Sequence, residues 1–191
     1  LDYYRHLHSF AIRECASSTL EDLHSVDFAG KEIRGITVNT KSIPLDASKF
    51  DEAIYEAGIE YVLLDCDDAK DQADLSSVPE FLAALTHIKY LQFSTWHYIL
   101  ERSAISALSK LSKLQTFVLV MGDDVFENKN LLTIALSTLP DLYSVSIYAY
   151  CTSLLPFTRL KNLREFVCLS ASSSQLSEIS ASMTNLSSLA V

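Results

Sequence analysis

The 191-residue chain has few of the residues that interrupt regular backbone. Four glycines and four prolines are too few for a fold of many tight turns or for a long flexible linker. Its four cysteines, Cys15, Cys66, Cys151 and Cys168, stand far apart with no C-x-x-C pair. That spacing argues against a zinc-finger pattern or a disulfide framework and predicts buried thiols in a reducing compartment. No apolar run reaches the roughly 18 residues of a membrane span, so no membrane partner is expected. Basic residues are outnumbered, 15 Lys and Arg against 24 Asp and Glu, for a net charge of −9. Such a chain repels phosphate, and nucleic acid is not expected as a partner.

Motifs that carry chemistry are missing too. The sequence holds no G-x-S-x-G elbow, Gly-rich phosphate loop, H-E-x-x-H pair or kinase signature. His6, His8, His24, His87 and His97 show no metal-ligand spacing beyond His6-x-His8, and residues two apart on a helix face apart. Each histidine is expected to be solvated. Asp65, Asp67, Asp68, Asp71 and Asp74 crowd one segment, but without the Gly and Glu that a calcium-binding EF-hand loop requires. A solvated acidic loop is the expectation. No catalytic residue, metal or cofactor is expected, and the chain reads as a non-enzyme.

What the chain does have is repetition. Leu114-x-x-Phe117-x-Leu119 places large apolar residues at positions one, four and six. The same spacing occurs at Ile33-x-x-Ile36-x-Val38, Ile59-x-x-Val62-x-Leu64 and Ile88-x-x-Leu91-x-Phe93. It returns at Leu142-x-x-Val145-x-Ile147, Leu163-x-x-Phe166-x-Cys168 and Leu186-x-x-Leu189-x-Val191. First positions are separated by 26, 29, 26, 28, 21 and 23 residues. Positions four and six alternate as one face of a strand does. Residues three and four apart before the strands form helical stripes. These are Phe81, Leu82 and Leu85; Ile105, Leu108 and Leu111; Leu131, Leu132, Ala135, Leu136 and Leu139; and Ile179 and Met183. Strand, helix and parallel strand at a fixed period is the pattern of a stacked array, in which each unit buries its apolar face against the next.

The pattern resembles the leucine-rich repeat family over roughly residues 33–191. The family's Asn or Cys at position nine is replaced here by Lys41, Asp67, Trp96, Gly122, Tyr150 and Ala171, so the copies are degenerate. The resemblance implies an α/β solenoid, a horseshoe with parallel strands on the concave face and helices on the convex face. It also implies a recognition scaffold, and the long variable units look most like intracellular members, cytoplasmic or nuclear.

One domain over residues 1–191 is expected, as part of a longer array, with units from residue 33 onward. Residues 1–32 are expected to hold an N-terminal helix and an irregular first unit. Leu1, Tyr4, Leu7, Ala11 and Cys15 have helical spacing over residues 1–16, and Leu23-x-x-Val26-x-Phe28 lies close enough to Ile33 for a hairpin. A further helix is expected over residues 46–57, capped by Asp46.

Charge is uneven. Residues 1–95 carry 17 acids and 8 bases, residues 96–191 carry 7 of each. Asp65, Asp67, Asp68 and Asp71, with Asp123 and Asp124, form an expected acidic rim that would steer a basic protein partner. Positions three, five and seven lie on the strand face away from the core. On it Tyr61, Tyr90, Val118, Val120, Tyr148, Val167 and Leu169 are the candidate partner-binding residues, because aromatic anchors and contiguous apolar surface suit an interface. The functional expectation is a non-catalytic protein–protein interaction module within a larger protein. Two narrower readings share the resemblance: the substrate-recognition region of an F-box-type ubiquitin ligase receptor, and the ligand-sensing domain of an immune-type receptor. Sequence upstream would decide the first, and an adjoining nucleotide-binding module the second.

Overall fold

The apolar residues at positions four and six build a ladder of strands. The computed structural model describes residues 9–12, 35–39, 55, 58–66, 78–95, 100–121, 128–149, 153–168 and 171–190. Among them the strands are β1 (Ser9–Ile12), β2 (Gly35–Asn39), β3 (Tyr61–Asp65), β4 (Tyr90–Thr95), β5 (Thr116–Met121), β6 (Ser144–Tyr148), β7 (Glu165–Cys168) and β8 (Ser188–Ala190). All eight join one sheet in chain order, and every pair is parallel. The register equates the same position of each unit, so Val62, Leu91, Phe117, Val145, Phe166 and Leu189 form one row. The protein is an α/β structure in which each strand pairs only with its neighbours in sequence.

The connections hold α1 (Val78–Ala84), α2 (Arg102–Leu108), α3 (Lys129–Leu136), a 310 helix (Leu155–Arg159) and α4 (Ser173–Ser182). Ala104, Ile105, Ala107 and Leu108 of α2 are buried, the stripe of a helix lying on a sheet. They share one core with strand residues such as Leu91, Phe117 and Ile147. Position one is buried with them at Ile59, Ile88, Leu114, Leu142 and Leu163. The 310 helix stands where the spacing drops to 21 residues between Leu142 and Leu163. A tighter coil fits that shorter connection, and Pro156 opens it where no intrahelical N–H is needed.

Each unit re-enters the sheet by the same backbone device. The N–H groups of Ile88, Leu114, Leu142, Leu163 and Leu186 donate to the carbonyls of Leu85, Leu111, Leu139, Leu160 and Met183. The carbonyl at position two then accepts two N–H groups from the next unit: Glu60 from Lys89 and Tyr90, Lys89 from Gln115 and Thr116, Gln115 from Tyr143 and Ser144. Tyr143 and Arg164 continue the series. Gly58 precedes Ile59 with φ of 66°, the left-handed region that favours glycine, and its N–H donates to the Tyr55 carbonyl.

The structure corrects three expectations. A strand, β1, occupies residues 9–12 inside the helix expected over residues 1–16. Its register, Phe10 with Ile36 and Ile12 with Val38, exposes an eighth copy of the spacing, Leu7-x-x-Phe10-x-Ile12, which begins 26 residues before Ile33. The hairpin expected at Leu23–Phe28 lies outside the described residues. Second, Leu131 was expected in the inward stripe of α3 and is exposed, while Leu132, Ala135 and Leu136 are buried. Third, His87 is half-buried: its Nε2 is out of contact with water, and its ring meets Tyr55 edge-on at 5.4 Å. Of the helix expected over 46–57, only Tyr55 falls among the described residues, and it is helical and exposed. Cys66 and Cys168 are buried; Cys15 and Cys151 lie outside the described residues. Among the described residues no helix is long and apolar enough to cross a membrane.

Candidate functional site

The helices cover the face of the sheet formed by positions four and six. Positions three, five and seven form the opposite face, over which no described element packs. In strand order, position five reads Thr37, Leu63, Gln92, Val118, Ser146 and Val167, all half-buried by their sheet neighbours. Position seven reads Asp65, Ser94 and Val120, half-buried, and then Tyr148, exposed. Position three departs from uniform exposure. Tyr61 and Glu165 are exposed, Tyr90 and Thr116 half-buried, and Gly35 and Ser144 buried.

Three tyrosines give this face its character. Tyr61 and Tyr90 stand on paired strands in register, with ring centroids 5.6 Å apart and planes 34° apart. The Tyr90 hydroxyl donates to Gln92 Oε1 at 3.1 Å. Burial, and secondly the nearby Tyr148 hydroxyl, push the Tyr90 pKa above the ordinary tyrosine value. Tyr61 is 45% and Tyr148 37% exposed.

The expected binding residues therefore divide. Tyr61, Tyr90, Val118, Val120 and Tyr148 come together over β3 to β6. Val167 lies on the next strand, in register with Ser146, so a polar residue stands between it and Val118. Leu169 lies outside the described residues, as do Asp67, Asp68, Asp71, Asp123 and Asp124 of the acidic rim. Asp65 is on the face, in register with Ser94. Among the described residues, no group of three His, Cys, Asp or Glu side chains is placed to hold a metal ion.

Sequence reasoning missed Gln92, whose carbonyl oxygen orients the Tyr90 hydroxyl. Its place between Tyr90 and Ser94 on one strand face was the available signal. It also missed a polar groove of about 650 Å³ at the strand starts, lined by Gln115, Asp141, Tyr143, Asn162 and Arg164 among others. Here Asn162 Nδ2 donates to the Pro140 carbonyl at 2.9 Å, and Asn185 Nδ2 to the Lys161 carbonyl at 2.8 Å. The signal was a polar residue just before position one in successive units: Asp141, Asn162 and Asn185.

No family model matches the chain, and no curated protein matches it.

Proposed function

We propose that this chain is a non-catalytic protein-binding module built as a leucine-rich-repeat solenoid, with the open sheet face as its concave docking surface. The observation that carries the reading is that face: a side of the sheet with no described element packed on it, bearing Tyr61, Tyr90 and Tyr148 around Val118 and Val120. Half-exposed aromatics on a rigid sheet bury large area at small entropic cost, the property of interface anchors. The in-register ladder supports the solenoid reading, because a parallel stack with sequential strand order is how repeats share a core. The eighth copy supports it further. It places Cys15 at position nine, where the family that the pattern resembles carries Asn or Cys. Buried Cys66 and Cys168 fit a reducing, intracellular setting.

Surface-plasmon kinetics on the natural partner test the reading. Tyr148→Ala is expected to raise the dissociation rate and cost roughly 2 kcal/mol of binding. Lys110→Glu, in the exposed turn after α2, is expected to change neither rate appreciably. Binding abolished by Lys110→Glu and untouched by Tyr148→Ala would place the docking surface on the helical side instead.

A further inference from the structure

We propose that the open face seats a cationic side chain, an arginine from an extended segment of the partner protein, over Val118 between Tyr90 and Tyr148. The proposal rests on the docking reading above and names what the face takes.

Register puts Val118 at the midpoint. Tyr90 pairs with Thr116, two residues before Val118; Val118 pairs with Ser146, two residues before Tyr148. With strands about 4.8 Å apart and about 3.3 Å of rise per residue, each tyrosine Cα lies about 8 Å from that of Val118. A tyrosine side chain spans much of that distance, which puts both phenols within reach of one small aliphatic floor. The rings offer negative π faces to a cation. The planar guanidinium stacks on such faces and still donates from its edge.

Hydrogen bonding selects the same ligand. The Tyr90 proton is committed to Gln92, so the Tyr90 oxygen presents lone pairs and calls for a donor. A phenol is neutral at neutral pH, so the bond to Gln92 holds there.

Charge agrees. Across positions three, five and seven of the described strands stand two acids, Asp65 and Glu165, and no lysine or arginine. Among these described positions a cation meets no like charge, whereas a carboxylate or phosphate ligand meets two. A purely apolar anchor fits less well, because Val118 is flanked in its row by Gln92 and Ser146. Burying an apolar group there would strip water from both and return no hydrogen bond.

The test uses the full chain and a short peptide of alternating arginine and serine. The control is its citrulline counterpart, which keeps the planar shape and three of the five N–H donors but loses the charge. The arginine peptide is expected to bind, and the citrulline peptide to bind about tenfold more weakly. Tyr148→Leu, which removes the ring but keeps apolar bulk, should weaken the arginine peptide about fivefold, and Tyr148→Phe should stay within about twofold of the parent protein. Upfield shifts of the arginine δ-methylene protons, lost in Tyr148→Leu, would place the guanidinium over a ring. Equal binding of the arginine peptide to the parent and to Tyr148→Leu overturns the proposal, because attraction to the overall charge then explains it; so does equal binding of the citrulline peptide. A photocrosslinker at position 118 separates this proposal from the docking reading. If the natural partner attaches there through a segment without arginine or lysine, the cation proposal falls and the docking reading stands. If it attaches only at position 110, both fall.

Discussion

Leu119 and Leu189 are chemically identical and face the same side of the sheet, but their surroundings differ. Leu119, on β5, is fully buried, with strands on both sides; Leu189, on β8, is 39% exposed at the ladder's edge. Leu119→Ala removes buried methyls and leaves a cavity, so chemical denaturation should show a loss of about 2–5 kcal/mol. Leu189→Ala should cost under about 1 kcal/mol, because its side chain is already partly in water. Equal losses would show that stacking does not set the cost. Tyr90 offers a second test at this scale. Its pKa is raised by burial and then by Tyr148, so its phenol should ionise above the usual tyrosine range in an absorbance titration. Tyr148→Phe should lower that midpoint, while burial keeps it above the ordinary value. In the linkage, the native state holds the Tyr90 proton to higher pH than the unfolded state. The neutral phenol therefore contributes its full stability below a pH of about 10, and that contribution fades as pH rises through the native pKa.

The elements owe their limits to local chemistry. α4 begins with a capping box: Ser172 Oγ accepts from the Gln175 N–H, and Gln175 Oε1 accepts from the Ser172 N–H at 2.8 Å. Ser172→Ala should cost about 1 kcal/mol and speed amide exchange in the first turn of α4 more than elsewhere. Uniform acceleration across the sheet would mean that the cap holds more than its own helix. The 310 helix shows the opposite control. Its length is dictated by the shortness of its unit, and Phe157 alone anchors it, 5.2 Å from the Phe166 ring. Units of 26 or more residues accommodate α2 and α3, where the helix-period stripe is long enough to be read directly.

At the scale of the molecule, a ladder of nearest-neighbour strand pairs distributes stability along one dimension. Charge is distributed along the same dimension, with the whole net charge of −9 in residues 1–95. The proposed docking face starts at β3, inside that acidic half. Neutralising Asp67, Asp68 and Asp71 together should slow association with a basic partner and flatten its dependence on salt, leaving dissociation nearly unchanged. An unchanged association rate at low salt would remove steering from the picture. Anchoring and steering would thus reside in different segments, the first on the strands β3 to β6 and the second in the sequence that follows β3.

Periodicity alone located β2 to β8, because alternation at positions four and six and a unit of 21–29 residues admit few other parallel structures. It also separated the buried rows from the open one, except at Gly35 and Ser144, which are buried at position three. It misread residues 9–12, where Leu7 and Ala11 serve a helical spacing as well as Leu7, Phe10 and Ile12 serve a strand. Only pairing with β2 decided between them, since an edge offering unpaired backbone groups outweighs a weak local preference. Tyr61, Tyr90 and Tyr148 were legible as aromatics of the open face, but their placement on β3, β4 and β6 of one sheet was not, nor was the half-burial of Tyr90. Tyr90 and Tyr148 are 58 residues apart in the chain and share one face only because two successive crossovers return in register. The bond from Tyr90 to Gln92, the edge-on contact of His87 with Tyr55 and the half-burial of Val118 likewise depend on which neighbours the stack delivers. Sequence determined the period and the two faces of each strand. Tertiary structure decided which side chains of different units share one surface, because register between strands is a property of the assembled sheet.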